Sequence, residues 1–311
     1  MKHPPYHLRS NKAVDRYLLV EVIKRLARAP DFDLSERTYY SLSGPFLEDL
    51  RLMSSNFPKM RLVSLERNPD TYKRQKRHRF RRRLVLRRDP ADELMPGPTP
   101  AVVWLDFDRN EWSCFATFQG MLTRVADRSV VKVTLDAEPT SWGQSPEEQE
   151  KHLHANFRDL IPPGFHAERL RPGNFPLLMQ DMLRIASQQA CGSSKGRAFQ
   201  ILSSFVYSDK ATMLTLTGAV CHETGTLEVR KALQEWKHAN LAWGEPRRIK
   251  VPELSIAERL LLEKLLPTDD PRRLQEALGY LIDDTEEGSM EFLQQFADYH
   301  DYLPQFAKVL V

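Results

Sequence analysis

Phe199–Val220 reads FQILSSFVYSDKATMLTLTGAV. Two runs rich in β-branched and aromatic residues, Phe199–Val206 and Thr212–Val220, flank a short polar turn, Ser208-Asp209-Lys210. Such side chains suit a pleated, buried surface, and so short a link permits only an antiparallel pair. What precedes this hairpin gives it meaning. Upstream, strands are predicted at Thr38–Ser43 (TYYSLS), Arg61–Glu66 (RLVSLE), Leu84–Leu86, Ala101–Asp106 (AVVWLD) and Ser129–Leu135 (SVVKVTL). Helical segments separate them, and strands alternating with helices argue for a parallel sheet covered on both faces. A dinucleotide-binding sheet of the usual kind ends instead on another parallel crossover. The expectation is therefore a mostly parallel, seven-stranded α/β sheet of Rossmann type that closes on an antiparallel hairpin.

The helices come from period and punctuation. From Lys12 to Ala29, Val14, Leu18, Val22 and Leu26 recur every fourth residue, with Leu19 and Ile23 widening the stripe and Pro30 just beyond. After the first strand, Gly44 turns the chain, Pro45 suits the first position of a helix, and Glu48 and Asp49 complement the helix dipole. Further helices are predicted at Ser113–Ala126, Pro146–Leu160 and Pro176–Gln189. Beyond Val251 the chain reads as helical, so the domains are expected at 1–252 and, as an acidic helical extension, 253–311. The aromatic run Phe292, Phe296, Tyr299, Tyr302 and Phe306 has helical spacing and is expected to pack on the sheet domain.

In open α/β sheets, ligands bind beyond the carboxyl ends of the strands, near the first strand-to-helix turn. Three features converge there. The turn Ser41-Leu42-Ser43-Gly44-Pro45-Phe46 brings backbone and a helix N-terminus against a ligand. Glu66 ends the second strand 22 residues after Gly44, and an acid at about 20 residues commonly holds a ribose hydroxyl pair. Asp106 ends the fourth strand, with Phe107 and Asp108 next. Together they point to a nucleoside-type ligand.

The sequence also resembles a bacterial family described as "putative O-methyltransferases". The likeness rests on YHLRSNKAVDR (Tyr6–Arg16), SGPFLEDLRLM (Ser43–Met53) and VSLERNPDTYKRQK (Val63–Lys76). It continues in WLDFD (Trp104–Asp108), MLTLTG (Met213–Gly218) and YHDYLPQFAKV (Tyr299–Val309). The resemblance implies a fold that binds S-adenosylmethionine (SAM) as cofactor. Ser41, Ser43, Gly44 and Pro45 would lie under it, Glu66 would bind its ribose, and Asp106 would face the methyl group. Asp106 or Asp108 would serve as base for a hydroxyl acceptor. The first turn, SLSG, differs from the acid and two or three glycines usual in active methyltransferases. WLDFD is not the D/N-P-P-Y/F motif of amino-methylating enzymes, which disfavours a base amino group as acceptor. Arg9–Lys12 could close over the site, with Asp15 and Arg16 paired, although a plain first helical turn is the better account of those two.

The net charge of +3 conceals an asymmetry. Lys73–Arg88 (KRQKRHRFRRRLVLRR) holds ten Lys or Arg and no acid, so the rest of the chain carries −7. From Glu253 onward, thirteen acids face five bases. Lys73, Arg74, Lys76, Arg77, Arg79, Arg81, Arg82 and Arg83, interleaved with aromatic Tyr72, His78 and Phe80, suit a phosphate backbone. The alternatives are a solvated face and a docking surface for the chain's own acidic tail.

Other signals exclude function classes. His152 and His154 sit on different faces of a helix, so no metal site is expected. Gly192-Ser193-Ser194-Lys195-Gly196 lacks phosphate-loop spacing and a preceding strand. The cysteines, Cys114, Cys191 and Cys221, are scattered and odd in number, which suits a reducing cytoplasm. No apolar run approaches membrane-spanning length, and MKHPPYHLRSNK has no apolar signal-peptide stretch. The expectation is a cytoplasmic SAM-dependent methyltransferase of unknown acceptor. The alternative is a non-catalytic scaffold of the same fold that binds nucleic acid or a partner protein, as in a bacterial antiviral defence assembly.

Overall fold

The structure, a computed structural model, describes residues 9–192, 196–208, 210–268 and 270–303. Its strands are β1 (Thr38–Ser41), β2 (Arg61–Leu65), β3 (Val85–Arg87), β4 (Ala101–Asp106), β5 (Ser129–Asp136), β6 (Arg197–Ser208), β7 (Thr212–His222) and β8 (Arg247–Ile249). Its helices are α1 (Ser10–Leu26), α2 (Glu48–Asn56), α3 (Pro69–His78), α4 (Trp112–Arg124), α5 (Pro146–Asn156), α6 (Phe175–Gly192), α7 (Glu223–Leu233), α8 (Ile256–Glu263), α9 (Pro271–Leu278) and α10 (Glu286–Tyr299). The sheet order is β3-β2-β1-β4-β5-β7-β6-β8. Pairing from β3 to β5 is parallel, and β7 runs antiparallel to β5. The α/β reading with a terminal hairpin holds. The count of seven strands is corrected to eight, because the three-residue β8 is too short to show a period. Helix α7 also escaped the sequence reading. Asp209, in the predicted hairpin turn, and Ser193–Lys195 lie outside the described residues.

By their contacts, the residues group into two compact units. The larger spans Leu19–Val206 and Lys210–Arg247 and holds most of the sheet. Its main core lies on one sheet face. There, Tyr40, Val63, Val103, Leu105, Val131 and Val133 meet Cys114, Phe115, Phe118, Met121 and Leu122 of α4. Those five α4 residues fall at i, i+1, i+4, i+7 and i+8, the stripe expected of a helix packed on one side. Helix α6 joins them through Leu178, Met179, Met182 and Leu183. Side chains alternate across a strand, so the residues between these valines point to the opposite face. Ser41, Ser64, Lys132, Thr134, Thr215 and Thr217 lie there, all buried. Trp104 donates from Nε1 to Thr134 Oγ1 at 3.0 Å, and Thr134 Oγ1 meets Thr215 Oγ1 at 3.2 Å. Lys132 lies 4.5 Å over the Trp104 ring, a contact that favours a desolvated cation. One face is apolar and the other holds a line of satisfied polar groups.

The smaller unit gathers residues 9–18, 207–208 and the described residues from Arg248 onward. Asn11 joins its parts: Nδ2 donates to Ser208 O at 3.0 Å, and Oδ1 accepts from Val251 N at 2.9 Å. Asp15 and Arg16, in the first turns of α1, are both buried. Local sequence sets the C-terminal helices. Ser255 and Glu258 form a reciprocal capping box on α8. Asp270 caps α9, with Pro271 in its first turn and Gly279, at φ 75°, ending it. Leu262, Leu274, Leu278, Leu293 and Phe296 form a small core of their own. Phe296 therefore packs among the tail helices, while the Tyr299 hydroxyl donates to Arg248 O of β8 at 3.3 Å. Phe306 lies outside the described residues.

Candidate functional site

The parallel register decides what meets at the carboxyl edge of the sheet. Ser41 pairs with Ser64 of β2 on one side and Trp104 of β4 on the other. Glu66 and Asp106 each lie two residues beyond those partners, level with Ser43. They flank the first turn on either side, roughly 10 Å apart across two strand spacings. Asp108 is further out and exposed, while Asp106 is half-buried.

The first turn is built differently from its sequence reading. Helix α2 starts at Glu48, so Pro45 is not its first residue. The left-handed residue of the turn is Leu47, at φ 57°, and not Gly44. A β-carbon costs about 1–2 kcal/mol in that region, and Leu47 is fully buried. Two buried side chains brace the turn. Asp49 Oδ2 accepts from the Tyr39 hydroxyl at 3.0 Å and from the Ser43 hydroxyl at 3.1 Å. Gln75 of α3 donates from Nε2 to Ser43 O at 2.5 Å and to Gly44 O at 3.4 Å, and accepts from Ser64 Oγ at 3.1 Å. Burial, then the charge of Asp49, pushes the Tyr39 phenol well above its usual range, which keeps it a proton donor. The Ser41 and Ser43 side chains are thus buried within the protein, and a ligand at this turn would meet backbone.

Glu66 is arranged differently. Its Oε1 accepts from the backbone N–H of Asn68 at 2.6 Å, and Asn68 in turn caps α3. Burial raises the Glu66 carboxyl above its ordinary range, against the opposing pull of the Asn68 N–H and Arg67. At the end of β5, Asp136 is raised as well, by burial first and then by the charges of Glu138 and Asp108. The Asp136 carboxylate accepts from Glu138 N at 2.8 Å, and Glu138 Oε1 from Thr212 N at 2.7 Å. The edge is therefore lined with acid: Glu66, Asp106, Asp108, Asp136 and Glu138. Among the described residues, no group of three or more His, Cys, Asp or Glu is placed to hold a metal ion.

The basic residues lie elsewhere. Lys73, Arg74, Lys76 and Arg77 sit on exposed positions of α3; Arg79, Arg82 and Arg83 are exposed in the loop leading to β3, and Arg81 is half-buried. They follow the outer rim of the sheet.

This edge holds a half-buried acid on each side of the first strand-to-helix turn. The profile of the family described as "Putative O-methyltransferase" matches residues 4–311. The chain belongs to that family. Its sheet, with five parallel strands followed by an antiparallel hairpin, is methyltransferase-like. No curated protein matches the chain in sequence. Among solved structures, the plantazolicin methyltransferase BamL is 10% identical over 69% of this chain and 88% of its own, with a TM-score of 0.42. A "putative O-methyltransferase" from Klebsiella pneumoniae is 13% identical over 71% and 83%, with a TM-score of 0.40. The fibrillarin pre-rRNA processing protein of Methanococcus jannaschii is 9% identical over 60% and 67%, with a TM-score of 0.38.

For this family member, sequence reading missed Tyr39, Asp49 and Gln75. Asp49 was read as a dipole-facing acid, and Gln75 was hidden within a run of cations. The one available signal was a lone uncharged residue, Gln75, inside that run. Of the stretches that carried the resemblance, residues 6–8 and 304–309 lie outside the described residues.

Proposed function

We propose that the chain is a SAM-dependent methyltransferase whose cofactor lies across the carboxyl edge of β1, β2 and β4. The observation that carries this reading is the register that sets Glu66 and Asp106 on either side of the first turn. Glu66 would hold the ribose hydroxyls: Oε1 is anchored by Asn68 N, which leaves Oε2 for the ligand. Ser41, Ser43, Gly44 and Pro45 would form the floor, the serines through backbone. The acid-lined edge suits a cofactor that carries a sulfonium and an ammonium. When bound, SAM supplies an electrophilic methyl group for in-line displacement, a reaction that depends chiefly on positioning. Asp106, with Asp108 beyond it, would take the proton of a hydroxyl acceptor. The cysteines have no place in this chemistry, since burial raises the thiols of Cys114, Cys191 and Cys221. Being free and buried, they agree with a reducing cytoplasm. We carry the stripe from Lys73 to Arg83 as a nucleic-acid surface on the strength of its exposure.

Calorimetry with SAM and with its demethylated product tests the reading. Both should bind, and Glu66→Ala should weaken them about 10- to 150-fold, the loss of charge-assisted bonds worth about 1.5–3 kcal/mol. The pH dependence has a definite sign. The ionised carboxylate is the acceptor of ribose hydroxyls, so affinity is full at neutral pH and falls as the pH drops through the raised pKa of Glu66. The fall should begin above the ordinary value of 4.5, and Glu66→Gln should flatten it. If wild-type protein with a sharp unfolding transition takes up neither ligand, the non-catalytic scaffold becomes the better account.

A further inference from the structure

Two grooves flank β3, the outermost strand of the sheet. One, of about 490 Å³, is walled by Tyr72, Lys76, Arg79 and residues 84–86. The other, of about 660 Å³, lies between residues 58–62 and 81–85 and is lined by Lys59, Arg61, Arg81, Arg82 and Arg83. Lys59 and Arg61 fall outside the basic run in sequence, yet the fold adds them to it. We propose that the two grooves form one continuous track for the phosphodiester backbone of a nucleic acid. This proposal rests on the nucleic-acid reading of the stripe and extends it in both residues and direction.

The direction follows from the register. Val63 pairs with Val85 and Leu65 with Arg87. Cations therefore run from Arg61, at the start of β2, to Arg87 and Arg88, beside its end. Glu66 N donates to Arg87 O there at 3.0 Å. The track spans roughly 17 Å at about 3.3 Å per residue, which equals about five base-pair rises measured along a duplex axis. Its far end reaches the edge assigned above to the cofactor.

Internal pairing does not consume this charge. Lys59 meets Glu36 at 2.6 Å, Lys73 meets Asp70 at 3.1 Å, and Arg87 meets Asp89. Among the described residues, Arg61, Lys76, Arg77, Arg79, Arg82 and Arg83 have no acidic partner. Protection of an exposed sheet edge accounts for some charge there, but not for cations gathered on groove walls. Two arginines shape the walls instead: Arg79 donates to the carbonyls of Arg81 and Arg82, and Arg81 donates to Pro58 O at 3.2 Å. That leaves Arg82 and Arg83 facing outward.

The nearby rings argue for phosphate recognition rather than base stacking. Lys76 covers Tyr72 at 4.7 Å, Arg74 covers Phe46 at 4.9 Å, and Arg51 covers Phe80 at 4.6 Å. Each ring already has a cation of the chain on its face. Binding should be steep in salt and indifferent to sequence.

The test is fluorescence anisotropy of the full chain with labelled 20-mers, single-stranded RNA and duplex DNA, between 50 and 200 mM KCl. We expect binding to both, with a log–log salt slope for the duplex of about −4, or about −0.9 per phosphate neutralised. Arg61→Glu/Arg82→Glu/Arg83→Glu changes one groove, and Lys76→Glu, with Arg77→Glu beside it on α3, changes the other. Each should weaken binding roughly tenfold or more at low salt and flatten the slope by about one per cation lost. All five are exposed, so the melting temperature should hold. Where a reversal lowers it, the alanine versions should give the same order of affinities. Arg272→Glu/Arg273→Glu, on α9, should leave binding unchanged. Three results would overturn the track: wild-type affinity in either groove variant, no binding to either polymer at 50 mM salt, or tighter binding to phosphatidylglycerol vesicles than to both. SAM calorimetry on the same samples keeps the readings apart. Loss of SAM binding in the wild type would sink the methyltransferase reading and leave the track standing.

Discussion

Asp49→Ala should destabilise the protein by about 2–6 kcal/mol, since it strips the acceptor from two buried hydroxyls at about 1–3 kcal/mol each. Tyr39 and Ser43 both donate to Asp49 Oδ2, and both bonds are buried. The opposite cut should cost less. Ser43→Ala removes a donor along with its own need for a partner, and Asp49 keeps Tyr39, so a loss of about 0.5–1.5 kcal/mol is expected. Asp49→Asn keeps an acceptor oxygen at the same place and should fall between the two. Urea unfolding of the four proteins gives the order directly. A change under 0.5 kcal/mol for Asp49→Ala, within the usual range of a surface substitution, would mean that the turn is not held this way. The same variant should lose the thermal shift expected of SAM, because Asp49 fixes the backbone proposed as the floor of the cofactor site.

The parts of the fold legible in sequence were those dictated by local pattern. AVVWLD is a nearly continuous apolar run, as a strand buried on both faces must be, and SVVKVTL carries valines on both faces, at Val130 and Val131. Once these strands are parallel, their ends share one edge, so Glu66 and Asp106 could be placed before any coordinate was known. The first turn was not legible, because partners distant in sequence hold it. Gln75 reaches Ser43 across 32 residues, and its missing charge within KRQKRH sets it apart without saying what it reaches. Leu47 takes a backbone conformation that its residue type does not favour. Here buried contacts outweigh propensity, and a rule that looks for glycine chooses Gly44. Such breaches of local rules concentrate at functional or strained sites, and this one lies at the proposed floor of the cofactor site.

The charge distribution follows a similar logic at longer range. The sequence shows one basic run and an acidic remainder, but not where either is displayed. The fold separates them on the sheet: acids at the carboxyl edge around the first turn, cations along the rim outside β3. A cationic cofactor and an anionic polymer would thus be drawn to different surfaces of one scaffold. The two meet where Arg87 pairs beside Glu66. Charges more than about 8–10 Å apart are largely screened at physiological salt, so the two attractions would act independently except at that meeting point.

Gly218→Ala should cost about 1–3 kcal/mol, the usual range for forcing an extra carbon into a packed core, although alanine is otherwise the better strand residue. A β-carbon at Gly218 would lie 2.2 Å from Phe199 Cζ and 2.6 Å from two further ring atoms. That ring cannot retreat freely. It meets Phe118 of α4 edge-on at 5.5 Å and 86°, and Trp243 at 6.2 Å. Phe199 therefore lies across the bare backbone of β7, and Gly218 marks the close approach, as a glycine inside a strand often does. The expansion would be felt by β5 too, where Val131 is the partner of Gly218. Phe199→Ala should cost more, about 3–5 kcal/mol, because it empties the space that the glycine permits to be filled. The informative protein is Gly218→Ala/Phe199→Leu, in which the smaller side chain makes room for the methyl group. Residues in contact couple by about 0.5–3 kcal/mol, so the double variant should be more stable than the sum of the two single losses. Strict additivity would separate the two positions. It would leave the glycine in MLTLTG with a role in the backbone alone, and the hairpin that decides the fold without its aromatic clamp.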